Sequence, residues 1–300
     1  MRYGYYPGCS LEGISAEYDV SLRNLLDRLG VEIEDVPDWI CCGTTAAPST
    51  SRLLGIAVPL WNVARAAKAG QDTVIAPCSA CLYHSKNALH QLHQDPALIP
   101  QIEEILDLPL KPTPHFMHPL ELLSRPEFES VIRGAAVNHL SALKAVCYYG
   151  CLITRPPKIM QFDIVEYPQS MDRLLQWAGI QTLDWSAKTE CCGGYFSLID
   201  PQIVIDLSRN IFAAAKSAGA NAIVVACPLC QANLDTREAE IAALLGEKYD
   251  LPILYFSQVM GLALGVPDEG LGFWKHIVQV PKVTKCLKLQ VPKVPSEERL

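Results

Sequence analysis

The sequence predicts an α/β protein built from two similar pseudo-repeated halves, each a small, mostly parallel sheet flanked by helices. Three observations carry that expectation. The cysteines recur as two sets with one layout, short apolar runs lead up to them, and stretches of helical period separate the runs. Cys9 is followed after 31 residues by Cys41-Cys42, and after 35 more by Cys78-x-x-Cys81. Cys151 is followed after 39 residues by Cys191-Cys192, and after 34 more by Cys227-x-x-Cys230. A glycine follows each adjacent pair, Gly43 or Gly193, and the two sets hold ten of the twelve cysteines.

Element by element, the halves match. Residues 2–7 and 143–149 read as strands running into Gly8-Cys9 and Gly150-Cys151. Amphipathic helices are expected at about 15–29 and 169–178, each ending at a glycine suited to a C-cap, Gly30 or Gly179. Short extended segments follow at 31–37 and 180–185, then the cysteine pair, then helical stretches at 49–69 and 201–218. The runs at 73–76 and 222–226 are apolar without alternation, as in parallel strands covered on both faces. Each enters a C-x-x-C pair and a further helix. The resulting order, β–Cys–α–β–CCG–α–β–CxxC–α, puts every cysteine just past the carboxyl end of a strand. In an open parallel sheet those ends line one crevice, where ligands bind. Several cysteines also fall at helix N-termini, where backbone N–H groups favour the thiolate.

The expected divisions are 1–125, 126–278 and a basic tail at 279–300. Seven prolines between 95 and 126 read as an inter-domain connection. His115 and His118 lie there and suit capping or packing better than metal ligation, while His84 and His90 read as surface residues of a polar helix. From 274 to 300 the chain carries six Lys or Arg against two Glu, and Gln-Val-Pro-Lys-Val occurs at 279–283 and 290–294. That segment reads as a solvated strap or as a docking arm for an acidic partner or an anionic membrane surface.

Half of the 300 residues are apolar, enough for two cores, and the net charge of −7 argues against nucleic acid as a partner. The N-terminus lacks a secretory pattern, and no uncharged apolar run approaches the ~20 residues that span a bilayer. A cytosolic chain with reduced thiols is expected. Disulfides fit poorly, because neighbouring cysteines cannot easily pair and five per set leaves one over. Burial as small hydrophobes would explain one or two positions, not a repeated five-part pattern. Zinc takes four ligands around one ion. Five thiols, two of them consecutive, better suit a cluster whose irons are spread apart and can share a sulfur.

The doubled C-x(31–39)-C-C-x(34–36)-C-x-x-C unit, with glycine after each pair, resembles the CCG-domain family, and within it the B subunit of heterodisulfide reductase. The stretch VCYYGCLITRPP at 146–157 is similar to that subunit's second entry strand. The resemblance covers about 2–278. It implies two noncubane four-iron four-sulfur clusters. One would be held by Cys9, Cys41, Cys42, Cys78 and Cys81, the other by Cys151, Cys191, Cys192, Cys227 and Cys230. Cys147 has no counterpart in the first half, and Cys286 lies in the tail; neither is expected to be a ligand. In such reductases the clusters face each other and split a disulfide, each taking one sulfur. A ferredoxin-like iron–sulfur subunit delivers the electrons, and a further subunit holds flavin. This chain shows no G-x-G-x-x-G after a strand and no phosphate loop, so it is expected to be one subunit of such a complex. The alternative is the quinone-side anchoring subunit of an unusual succinate dehydrogenase, peripheral at the inner membrane face through its basic tail. A zinc-stabilised scaffold is the third possibility.

Overall fold

A computed structural model describes residues 2–197, 199–246 and 249–278. The basic tail and Cys286 lie outside the described residues. In the first half the strands are β1 (Arg2–Tyr5), β2 (Glu32–Asp35), β3 (Thr73–Ile75) and β4 (His115–Met117). In the second they are β5 (Lys144–Tyr148), β6 (Gln181–Leu183), β7 (Ala222–Val225) and β8 (Ile253–Tyr255). Two four-stranded sheets result, ordered β2-β1-β3-β4 and β6-β5-β7-β8, and every neighbouring pair is parallel. The predicted class is thus the observed one.

Two expectations need correction. The sequence pattern predicts three strands per half, and a fourth completes each sheet. β4 sits inside the proline-rich segment read as a connection, which also contains the helices Leu98–Leu106 and Pro119–Leu123. Its three residues are too few to show a period, and the flanking prolines at 112, 114 and 119 fall outside them, so no ladder N–H is lost. The single helix expected over 49–69 is two, Ala46–Thr50 and Arg52–Lys68. Ser51 interrupts it with extended backbone (φ −159°, ψ 153°), and its hydroxyl caps the second helix by accepting the Leu54 N–H at 3.1 Å.

The registers make the halves superposable residue by residue. Tyr5 pairs with Ile75 as Cys147 pairs with Val224, and Ile75 pairs with Met117 as Val224 pairs with Leu254. Tyr6 therefore corresponds to Tyr148, Pro77 to Ala226, and His118 to Tyr255. The helix Ala16–Arg28 packs on Phe256–Ala263 of the other half, and its counterpart Ser170–Trp177 packs on Pro119–Leu123 and Pro126–Ala135. Across this seam the Tyr18 and Tyr255 rings stack with centroids 4.2 Å apart and planes 2° from parallel. Such a pair contributes about 0.5–1.5 kcal/mol beyond its buried area. Beside it, Ser21 Oγ and Ser257 Oγ share a buried hydrogen bond of 2.7 Å.

His118 ties the two sheets together. Its Nδ1 accepts the Leu120 N–H at 3.1 Å, capping the helix Pro119–Leu123 as the sequence suggested. Its Nε2–H lies 2.9 Å from the Pro77 carbonyl and 3.1 Å from that of Ala226, the corresponding carbonyls of the two halves. Burial pushes His118 down to about 4, and His276 likewise to about 4. An unfolded histidine titrates near ~6.5, so the unfolded chain binds more protons between those values. Stability is therefore expected to fall as pH drops from roughly 6.5 towards 4, by on the order of 3 kcal/mol per histidine. Urea midpoints across that range check this, and His118→Gln, which cannot charge, should show a shallower loss.

Candidate metal centre

Each thiol is placed by a strand end or a helix start. Cys9 lies in the short helix Gly8–Glu12 directly after β1, and Cys41-Cys42 lie in the loop after β2. Cys78 is the N-cap of the helix Ser79–Gln94, and Cys81 falls in its first turn. In the second half Cys151 follows β5, and Cys191-Cys192 precede the 3-10 turn Gly194–Phe196. Cys227 caps the helix Pro228–Leu245, with Cys230 in its first turn. The proximity inferred from sequence is therefore present. Cys9 Sγ lies 3.5 Å from Cys41 Sγ, and Cys42 is electrostatically coupled to Cys41 and Cys81, as Cys81 is to Cys78. In the second set Cys151 and Cys191 are 4.0 Å apart, Cys192 and Cys230 3.6 Å, and Cys230 meets Cys227. All cysteines among the described residues are free thiols.

Tyrosines that sequence reasoning passed over hold both paired-cysteine loops. Tyr6 donates to the Ile40 carbonyl at 2.8 Å and Tyr148 to that of Glu190 at 2.6 Å, in each case the residue before the cysteine pair. Trp39 and Trp185 meet these tyrosines edge-on, at 5.6 and 6.1 Å. The signal was present as the repeated Tyr-Tyr at the end of each entry strand. Gly8 and Gly150 are required next to them. Both have left-handed backbone (φ 72° and 69°). A Cβ on Gly8 would lie 2.7 Å from Cys81 Sγ, and one on Gly150 2.8 Å from Cys230 Sγ.

Within each set, neighbouring thiols shift one another in opposite directions. Hydrogen bonds from Cys41, then Cys81, hold Cys42 well below the usual thiol range. Hydrogen bonding to Cys151 lowers Cys191, and hydrogen bonding to Cys230 lowers Cys227. Their neighbours move the other way: Cys41 and Cys81 are raised first by interaction with Cys42, Cys151 by Cys191, and Cys230 by Cys192. Five thiolates at such separations need positive charge between them. Among the described residues no group of three or more His, Cys, Asp or Glu could hold a single metal ion. An all-sulfur donor set of neighbouring pairs around glycine-lined space fits a multinuclear group better than one tetrahedral ion.

The two sets approach each other. Ser79, adjacent to Cys78, lines the cavity at the second set, and the His118 ring spans the carbonyls of Pro77 and Ala226, the residues just before Cys78 and Cys227. Tyr195, also unforeseen, lies where the charges of Cys42, Cys78 and Cys227 all act on it, and burial pushes its phenol up to about 12. A cavity at the second set is lined by its five thiols with Ser79, Tyr149, Leu152, Tyr195, Phe196 and Leu229, and no Asp, Glu, Lys, Arg or His contributes to the lining.

The other residues singled out from the sequence fall elsewhere. Cys147 is fully buried within β5, with Asp172 and Lys188 as its charged neighbours, which raise and lower its pKa respectively beneath a larger rise from burial. His115 is exposed and lies 3.6 Å from Glu121. His84 is not the surface residue expected, because its Nε2 is buried and without a partner. His90 is likewise half-buried rather than exposed. A polar helix sequence concealed this, since the face of that helix over its own first turn looks onto Cys42.

Comparison with known proteins agrees with this geometry. The chain is 26% identical over 285 residues to the 8-methylmenaquinol:fumarate reductase membrane anchor subunit of Wolinella succinogenes, covering 94% of this chain and 99% of that protein. It is 24% identical over 284 residues to the B subunit of the ferredoxin/F(420)H(2)-dependent CoB-CoM heterodisulfide reductase of Methanosarcina acetivorans, covering 93% of this chain and 94% of that protein. A crystal structure of a hypothetical protein from Helicobacter pylori shares the fold, with a TM-score of 0.71 at 11% identity; the match covers 93% of this chain and 52% of that one, so the chain spans about half its length. A family model described as the CCG cysteine-rich domain matches residues 3–86 and 145–235, the two cysteine-bearing halves. The chain belongs to the CCG cysteine-rich domain family.

Proposed function

We propose that the chain is an iron–sulfur redox subunit of a larger reductase, acting on a disulfide or related sulfur–sulfur bond. Cys9, Cys41, Cys42, Cys78 and Cys81 would hold one noncubane four-iron four-sulfur cluster, and Cys151, Cys191, Cys192, Cys227 and Cys230 the other. The observation that carries this reading is the pair of complete five-thiol sets at corresponding strand ends, with His118 joining the carbonyls just before Cys78 and Cys227 and Ser79 of one half lining the other half's cavity. Bound there, the clusters would supply one-electron steps at potentials set by their sulfur surroundings.

The protein's own groups have definable tasks. Tyr6 and Tyr148 hold the paired-cysteine loops against the sheet ends, and Gly8 and Gly150 keep the space beside Cys81 and Cys230 open. Leu152, Phe196 and Leu229 give the cavity at the second set an apolar wall. Tyr195 retains its proton at neutral pH and presents its phenol in the lining of the cavity at the second set. Cleaving one disulfide consumes two electrons and two protons and yields two thiols. The electrons come from a ferredoxin-like iron–sulfur subunit, itself served by a flavin subunit. Relatives named as subunits of such reductases support membership of a complex.

After anaerobic purification the chain should carry about eight irons with matching acid-labile sulfide. Supplied with a chemical one-electron donor, it should reduce a low-molecular-weight disulfide. Zinc at two per chain with negligible iron would overturn the reading.

A second reading, the quinone-side subunit of a fumarate or succinate oxidoreductase, is favoured by one observation. The cavity at the second set is apolar and aromatic and lacks any basic side chain for an anionic substrate, which suits a neutral ring. The Wolinella relative points the same way. No helix among the described residues is long and apolar enough to cross a membrane. Membrane contact in this reading would be peripheral and would fall to the basic tail. Activity with a quinol, without reduction across a disulfide panel, would select it.

A further inference from the structure

The superposition of the halves pairs His84 with Asn233, each three residues after the second cysteine of its C-x-x-C. Asn233 is buried, and its Nδ2 donates to the Cys192 carbonyl at 3.1 Å and to Cys192 Sγ at 3.8 Å. The equivalent sulfur in the first half is Cys42 Sγ. His84 occupies the equivalent position, and its ring and the Cys42 sulfur act on each other electrostatically. Its Nε2 is shielded from solvent and has no hydrogen-bond partner. A buried N–H without an acceptor is costly, so a nitrogen left open at this place is suited to an acceptor that arrives with the bound group.

We propose that His84 and Asn233 are paired N–H donors to the two sulfur centres, His84 to the group held through Cys42 and Asn233 to the group held through Cys192. Hydrogen bonds to ligand sulfur withdraw electron density and stabilise the reduced, more negative state, which raises the reduction potential. One half thus carries an imidazole and the other an amide at the same place. The two centres are thereby given different donors at one equivalent position, and unequal potentials order the electrons as they pass. These are positioning and tuning residues, since their action is exerted through sulfur.

This inference rests on the iron–sulfur reading above, and the test separates the two. Iron content and the potentiometric titration of both centres, followed by electron paramagnetic resonance, are measured on the wild-type chain, His84→Leu, His84→Asn and Asn233→Leu. The expected result is full iron in all four. In His84→Leu one centre should shift to lower potential and the other should stay put, and in Asn233→Leu the opposite centre should shift. His84→Asn, which reinstates a donor of the second-half type, should bring the first centre back towards its wild-type potential. Absence of iron from the wild-type chain overturns the iron–sulfur reading and this inference with it. Full iron with both potentials unchanged in the two leucine variants overturns this inference alone, as does a leucine variant that shifts both centres equally.

Discussion

Cys42→Ser and Cys192→Ser are each expected to retain about half the wild-type iron and to lose donor-driven substrate reduction altogether. The argument is geometric. Cys42 is coupled to both Cys41 and Cys81 of its set, and Cys192 lies 3.6 Å from Cys230 in the other. Each belongs to its own sheet, so damage should stop at the seam. If one substrate takes an electron from each centre, losing either centre is as harmful as losing both. Cys147→Ser, buried in β5 away from the second set, should keep all its iron. Half the iron lost in Cys147→Ser would mean that a ligand has been misassigned, and full iron in Cys42→Ser would remove Cys42 from the first set.

Gly8→Ala and Gly150→Ala should be nearly as damaging, although neither removes a ligand. Left-handed backbone costs an alanine about 1–2 kcal/mol. The added methyl would also lie 2.7 Å from Cys81 Sγ or 2.8 Å from Cys230 Sγ, where no flexible chain end can yield. Either the thiol turns away or the entry strand moves, and both withdraw a donor from that set. Each variant is expected to lose the iron of one half while its thermal midpoint falls by several degrees, since ~1 kcal/mol is about 2–4 °C in a chain of this size. Gly134→Ala is the control. A Cβ there meets nothing within 4 Å, so iron should be unchanged and the helix Pro126–Ala135 slightly firmer. Equal iron in Gly8→Ala, Gly150→Ala and the control would show that the glycines shape the chain but not the site.

Much of this was legible in the chain because two kinds of signal are local. The spacing of the cysteines, the glycine after each pair and the apolar run before each C-x-x-C are contiguous facts, and a strand end followed by a helix start has a recognisable local composition. The duplicated α/β class and the convergence of each set could therefore be read before any coordinate. β4 and β8 could not, because three residues carry no usable period and, unlike the equally short β3 and β6, they lead into no cysteine motif that marks a strand end. The break at Ser51 was also hidden, since a serine in a helical pattern is neutral until its own backbone turns extended.

The sequence by itself determined which thiols belong together and how many sets there are, because covalent order and strand–helix alternation bring such residues to one sheet edge. Only the tertiary structure decided how the two sets stand to each other. His118 reaching across to Ala226, the Tyr18–Tyr255 stack, Ser79 in the lining of the second set's cavity and Tyr195 under the charges of both sets all depend on how two cores pack. Packing is settled by side chains more than a hundred residues apart, and no spacing rule in one chain encodes it. The same holds for His84: on a polar helix it reads as a solvent-facing residue until the fold turns that face onto Cys42.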